Sequence, residues 1–508
     1  MCIRDRPNPN EHITIDGKQI DYSASFKYLG VTIDNKLTWK THRENVIRTA
    51  KGNLMKLTNK IATLYGPNPQ ISKWIYTGII RPKISYAALV WAHTLNTKKI
   101  EQQFEKLNRL ACMIVAPTRN SISHKSLEII YDILPLKLHL DHTAITTYCR
   151  LQSKLTDTNN KKAHITYWKN RITELQITPT ETDKTINLNL HNKFIVNTDT
   201  FGDNYKNHLI HSQLNIYTDG SKTKSGTGSG FVVFDKTSMI HKDFIPLAFT
   251  ATIFQAEIIA IKHAIKFILK FQKTLQPKYV KLFSDSRAAL QAINSYKVKS
   301  TLVQDAVELL NQLGNNTERV TLNWIKAHNN HTGNEYADIM ANMAANCPHE
   351  QIQVPIAYNL FKAHIKTAIY AEWIHQWQTD SNKYKHTKIF FPRMEPKYSK
   401  QILRLSRMDL KLLIEILTGH NNFKTFSNKI KTLTDTQCRF CKTAPEDVIH
   451  LITTCSHFQD LRTKLKLARF NPLNSTLDTL TWSIPLTLEF FKTPILHDAL
   501  TTIITPNP

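Results

Sequence analysis

No stretch of about 18 or more uninterrupted apolar residues, the length a membrane-spanning helix needs, occurs anywhere in the sequence, so no such helix is expected. Cysteine is scarce. The seven present, Cys2, Cys112, Cys149, Cys347, Cys438, Cys441 and Cys455, are mostly scattered, which argues against the disulfide framework of a secreted protein. The opening MCIRDR lacks the apolar core of a signal peptide. An intracellular setting is expected, cytoplasm and nucleus, with no membrane partner. Acidic side chains are also in deficit: 40 Asp and Glu face 66 Lys and Arg, leaving a net charge of +26. A surplus of that size repels itself unless it meets a polyanion, which makes nucleic acid the leading partner. There is no internal repeat, and 508 residues are too many for one compact core.

Residues 1–6 resemble the translation of a sequencing adapter and are set aside as an artefact. Met1 is then not a biological start, and the chain is expected to be the tail of a longer protein. From Ile13 to Thr38 the pattern alternates as strands do, with Asp16-Gly17 as a hairpin turn. Seven basic residues follow on a helical pattern, Lys36, Lys40, Arg43, Arg48, Lys51, Lys56 and Lys60, against one acid, Glu44. With Trp39 and His42 interleaved, this run reads either as a solvated helix face or as a contact for a nucleic-acid backbone, through Lys36, Lys40, Arg43 and Arg48. Residues 68–155 read as helices, with Trp74, Trp91 and Met113 in their core. Around 153–200 the composition shifts to Asn, Thr and Lys with weak periodicity, which marks a linker.

After Leu214 the expected order is the strand LNIYTD, a glycine-rich turn, the strands FVVF and HKDFIPLAF, and a helix over 254–271. The strand YVKLFSD, helices at 286–295 and 301–313, the strand VTLNWIKAH and a last helix from Asn334 follow. This order describes a mixed sheet covered by helices. Four acids stand out along it. Asp219 and Asp285 close strands, where sites of open α/β sheets gather, while Glu257 and Asp338 sit on helices among apolar neighbours. Each alone has a plain structural reading, as a turn, a helix cap or a helix-dipole partner. Together they would converge on one patch, where their repulsion is relieved only by hard divalent cations with oxygen ligands. Two Mg²⁺ ions held there would clamp a phosphodiester for attack by water. His328, ten residues before Asp338 on a loop, could order that water or help the product leave.

The settings YTDGSK, FQAE, FSDSRAAL and WIKAHNNHTGNEYAD, with Asp219, Glu257, Asp285, His328 and Asp338 in that order, resemble the ribonuclease H family over about 214–345. The resemblance implies an α/β domain with a five-stranded mixed sheet and helices, two Mg²⁺ ions on Asp219, Glu257, Asp285 and Asp338, and hydrolysis of the RNA strand of an RNA–DNA hybrid. Ser221 and Lys222, just beyond Asp219-Gly220, are further candidates for contact with the nucleic acid. One departure is Asn330, where family members often carry glycine.

Near the end, Cys438-x2-Cys441-x8-His450-x4-Cys455 has the ligand types and spacing of one tetrahedral, structural Zn²⁺ site. His457 ranks below His450 as fourth ligand. The segments FKYLGVTIDNKLTWKTHRENV, YTGIIRPKISYAALVWA and LNRLACMIVAPTRNSISHKSLEIIYDILPLKLHL resemble the region after the polymerase palm in reverse transcriptases of Jockey- and R1-type non-LTR retrotransposons, where a ribonuclease H domain and a Cys-Cys-His-Cys finger follow. The organisation this implies is 7–60, end of palm and thumb; 61–152, helical thumb or connection; 153–205, linker; 206–348, ribonuclease H domain; 349–430, helical connection; 431–470, zinc finger; and 471–508, tail. The nuclease is thus preceded by a mainly helical region and followed by a small helical zinc-binding one. Element RNA, target DNA and upstream polymerase and endonuclease domains would be partners. No polymerase YxDD-type motif occurs. The alternative is a catalytically inactive module that grips nucleic acid for the polymerase.

Overall fold

The structure, a computed structural model, describes residues 13–20, 23–61, 66–152, 163–177, 182–199, 214–327, 331–348, 351–380, 384–430, 432–467 and 482–502. Residues 1–6, His328 and Asn330 lie outside the described residues. The chain forms two compact units, one from 1–148, 159–176 and 366–508, the other from 149–158 and 177–365.

The second unit is built on a six-stranded sheet. In chain order its strands are β1 (Ile195–Asn197), β2 (Leu214–Lys222), β3 (Thr227–Asp235), β4 (Ser238–Leu247), β5 (Tyr279–Ser284) and β6 (Arg319–Trp324). They lie in the order β4-β3-β2-β5-β6-β1. The β4-β3 and β3-β2 pairs are antiparallel and the other three parallel. Helices α1 (Ile253–Lys270), α2 (Arg287–Ile293), α3 (Thr301–Asn315) and α4 (Thr332–Ala345) follow. The mixed sheet with helices is as expected, but it has a sixth strand. That strand comes from the stretch read as a linker, whose pattern is too short for periodicity to register. What seats it is tertiary: Asn197 Nδ2 donates to Asn323 Oδ1 at 2.8 Å, across a register that pairs the two residues.

The glycine-rich run also differs from its reading as a turn. Only residues 223–226 reverse the chain, and Thr227 to Gly230 are strand. Glycine is there because α4 crosses this strand at backbone distance. A Cβ on Gly228 would stand 2.3 Å from the amide nitrogen of Ala345, and one on Gly230 would stand 2.4 Å from that of Ala341. Ala337, Ala341, Ala344 and Ala345 supply the matching small face of the helix, all buried. On the other face of the sheet α1 buries Ala256, Ile258, Ile261, Ala264, Ile265 and Ile268 against Ile216, Phe231, Leu282 and Leu322. Its start is held by a capping box between Thr252 and Gln255.

In the first unit, Asp16 and Gly17 turn the hairpin of Ile13–Ile15 and Lys18–Ile20, both with positive φ (51° and 74°), as an Asp-Gly reversal requires. The helix Lys40–Ile61 follows a second hairpin. Described residues of 1–148 and of 366–508 pack together here. Buried Arg407 donates to the carbonyls of Pro67 (2.7 Å) and Ile114 (3.0 Å) and to Ser72 Oγ (2.7 Å). Trp482 Nε1 donates to Phe390 O at 3.1 Å. Trp91 is fully buried, as expected, but Trp74 is 63% exposed, its ring lying over Gly78 rather than in the core. No helix among the described residues is long and apolar enough to cross a membrane.

The glycine contacts set a test. Gly230→Ala places a methyl against helix backbone that cannot rotate away, so it should destabilise the sheet unit by about 3 kcal/mol, the upper range for overpacking. Denaturant unfolding of the full chain measures it; an unchanged midpoint would show that the helix rides higher than the glycines suggest.

Candidate metal and nucleic-acid site

Asp219 lies within β2, not at its end, because the strand runs on to Lys222. Asp285 follows the last residue of β5, parallel to β2 and adjacent to it, so both acids emerge at neighbouring positions of the sheet. Glu257 lies one turn into α1. It is brought to Asp219 because Gly220 lets the helix backbone approach: a Cβ there would stand 2.7 Å from Glu257 N. The result is a cluster in which Asp219, Glu257 and Asp285 each offer an oxygen within 4.8 Å of the others. Asp338, on α4, lies beside this trio, its charge felt by Asp219.

Two unit negative charges 4.8 Å apart repel by roughly 3.5 kcal/mol at an effective dielectric constant of about 20. Burial, and then the charges of Asp285 and Asp338, push the Asp219 carboxyl up to about 8. Glu257 rises well above the carboxylate range for the same reasons, burial first, then Asp219 and Asp285. Its Oε2 is buried without a hydrogen-bond partner. Buried, crowded, all-oxygen donors with one orphaned atom fit a hard divalent cation, which would remove both the desolvation and the repulsion terms. Neighbouring residues set the geometry. Trp324 Nε1 donates to Asp285 O at 2.9 Å, Asn334 Nδ2 to Asp285 Oδ2 at 3.3 Å and Asn342 Nδ2 to Asp338 Oδ1 at 2.7 Å. Neither asparagine stands out in the sequence, although Asn342 follows Asp338 by one helical turn.

Ser221 and Lys222 are close to the acids but engaged within the protein. Ser221 Oγ donates to Asn342 Oδ1 at 2.6 Å. The Lys222 ammonium donates to the carbonyls of Phe249 (3.0 Å) and Ala251 (2.6 Å), beside the Phe249 ring. In the other unit, the basic run is only partly a free face. Lys36, Lys40 and Arg48 are exposed, and Arg48 borders a cavity of about 330 Å³ with Lys27 and Lys83. Arg43 is tied to Thr38 O (2.9 Å) and Thr94 Oγ1 (2.6 Å). Trp39 and His42 are 8% and 4% exposed, so neither ring offers a stacking surface. His42 instead accepts the Thr32 N–H at Nδ1, 3.2 Å away, and sets its ring edge-on to Trp91.

Cys438, Cys441, His450 and Cys455 form a second cluster, all four ligand atoms within 4.8 Å of one another. Cys438 Sγ lies 4.0 Å from Cys455 Sγ, and Cys441 Sγ 3.2 Å from His450 Nε2. Asp447 caps the helix Val448–Thr453 by accepting His450 N at 2.7 Å, and Thr454 Oγ1 holds His450 Nδ1 at 3.0 Å, leaving Nε2 toward the thiols. Hydrogen bonds from Thr443 draw the Cys441 thiol down to about 6, while burial pushes Cys455 up to about 12. His457 stacks on Phe440 instead of joining the cluster. Beneath it, fully buried Glu446 accepts from Arg439 Nε (2.8 Å) and from the Arg439 and Lys424 amides (2.9 and 3.2 Å), an anchor the spacing of the cysteines does not reveal.

Both clusters yield expectations. In Mg²⁺-free buffer the raised acids make the folded sheet unit bind protons that the unfolded chain releases near pH 4. Its melting temperature should therefore fall as pH rises from about 4 toward 8, and Mg²⁺ should restore it most at the alkaline end. Asp219→Asn should flatten that decline; a profile indifferent to pH and Mg²⁺ would contradict the crowding. Separately, metal analysis should find one zinc per chain, lost in Cys441→Ser together with order in 432–467, since a small metal-bound module draws much of its folding energy from the ion.

The family model for RNase H matches residues 211–346. A 115 kDa protein in the type-1 retrotransposable element R1DM of Drosophila melanogaster is 23% identical over 122 residues, 24% of this chain and 12% of that protein. Two solved structures are similar. One is RNase H1 from Halobacterium salinarum NRC-1 (18% identity, 26% of this chain, 96% of that chain, TM-score 0.22). The other is the N-terminal RNase H domain of rv2228c from Mycobacterium tuberculosis, fused to maltose-binding protein (22%, 26%, 98%, TM-score 0.22). Residues 211–346 are a domain of the RNase H family, in a chain that is similar over part of its length to a protein of a retrotransposable element.

Proposed function

We propose that this domain hydrolyses the RNA strand of an RNA–DNA hybrid. The observation that carries the reading is the trio Asp219, Glu257 and Asp285, with oxygens within 4.8 Å and Glu257 Oε2 buried and unpartnered. These three, with Asp338, would hold two Mg²⁺ ions, which supply a lowered pKa for the attacking water and charge neutralisation at the phosphate. Asp219 on β2 and Asp285 just past the end of the neighbouring β5 would face one scissile position from a rigid base. Glu257 borders it from α1 and Asp338 from α4. His328, which precedes α4 in the sequence, would help order water or release product.

Cys438, Cys441, His450 and Cys455 would hold one structural Zn²⁺. Lys36, Lys40 and Arg48 would contact phosphates of element RNA or target DNA, joining the nuclease to polymerase and endonuclease activities supplied by upstream domains. A chain with these contacts works inside the cell, in cytoplasm and nucleus.

Incubation of the full chain with a labelled RNA–DNA hybrid, with and without Mg²⁺, tests the reading. The RNA strand should be cut only with Mg²⁺, a DNA duplex of the same sequence should survive, and Asp219→Asn should lower the rate by more than about 10²-fold. A chain that binds the hybrid but never cuts it would be a binding module.

A further inference from the structure

Asp338 is the one member of the acidic quartet outside the 4.8 Å trio, and it stands on a helix surface, half-buried and beside like charges. Left to itself, such a carboxylate would turn toward water and away from Asp219. We propose that Asn342 is a positioning residue that prevents this, holding Asp338 at the site through a relay anchored on β2. The proposal rests on the function inferred above.

The relay has a fixed direction. Ser221 Oγ donates to Asn342 Oδ1 at 2.6 Å, which leaves the amide nitrogen turned the other way, and Asn342 Nδ2 donates to Asp338 Oδ1 at 2.7 Å. Asp338 in turn lies beside Asp219. Asp219 and Ser221 are two residues apart on one strand and so point to the same face of the sheet. Asp338 and Asn342 are four apart on α4 and so share one face of the helix. The four side chains line the helix–strand seam, with Ser221, Asn342 and Asp338 joined by hydrogen bonds. An amide at 342 accepts on one side and donates on the other without bringing a fifth charge. The seam continues outward in the same chemistry. Thr223 Oγ1 donates to Asn346 Oδ1 at 3.3 Å, and Asn346 Nδ2 donates to Asn342 O at 3.0 Å. The relay depends on the close seat of α4 on Gly228 and Gly230, because no hydrogen bond would span a wider gap.

Asn342→Ala in the full chain tests the relay through Mg²⁺ binding measured by calorimetry, hybrid cleavage kinetics, and melting in Mg²⁺-free buffer. Losing one hydrogen bond to a charged group should weaken Mg²⁺ binding about tenfold and lower kcat by a similar factor. KM for the hybrid and the Mg²⁺-free melting temperature should not change. Asn342→Leu, of similar volume and without polar atoms, should behave alike. If the variants bind Mg²⁺ and turn over as the unaltered chain does, or if the unaltered chain binds no Mg²⁺, the proposal falls. It also falls if both variants lose melting temperature in parallel with Mg²⁺ affinity, which would make Asn342 a packing residue. Weaker Mg²⁺ binding in a chain that cuts no hybrid at all would keep the relay and overturn the ribonuclease reading instead.

Discussion

The sheet unit depends on forcing carboxylates together in a place where they repel. Asp219, Glu257 and Asp285 are kept within 4.8 Å by the backbone, not by attraction among themselves. Gly220 admits the start of α1, and Gly228 and Gly230 admit α4, each at distances no Cβ would tolerate. Burial first, and the mutual repulsion second, explain why the Asp219 and Glu257 carboxyls hold their protons far above the usual range. A divalent cation is the partner that turns such a liability into binding energy. The alanine face of α4 then has a purpose beyond packing: it sets the height at which Asp338 meets Asp219.

The cysteine cluster answers a different need. Among the described residues its order comes from a few short-range devices. Asp447 starts the helix that carries His450, Thr454 orients the imidazole, and the Arg439–Glu446 pair ties the turn to its surroundings. The cluster belongs to the unit that also contains the N-terminal helices, where Arg407 and Trp482 stitch distant parts of the chain into one core. One unit thus relies on a sheet with crowded acids, the other on helices bound by buried polar side chains.

Much of the candidate site is legible in the amino acids. Asp219, Glu257 and Asp285 occur in distinct local settings, and hydrophobic periodicity alone puts each on a strand or helix near its observed position. The Cys438, Cys441, His450 and Cys455 spacing is legible for the same reason, since each ligand pair is local in the chain. Periodicity fails where a residue's role is defined by something far away. Asn334 and Asn342 look like ordinary helix residues until Asp285 and Ser221 are beside them. The Thr227–Gly230 stretch looks like a turn until a helix lies on it. Trp39 and His42 look like stacking rings within a basic run until they are found buried.

What the amino-acid order determined by itself is therefore the local chemistry: which side chains could ionise, ligate or alternate, and on which kind of element each would lie. The tertiary structure alone decided which of them meet, whether Lys222 and Arg43 are free or spent on carbonyls and hydroxyls, and that a short strand at Ile195–Asn197 joins the sheet. The physical reason is range. Propensity and periodicity act over a few residues, whereas close approach, burial and Coulomb repulsion act between segments that the chain separates by tens or hundreds of residues.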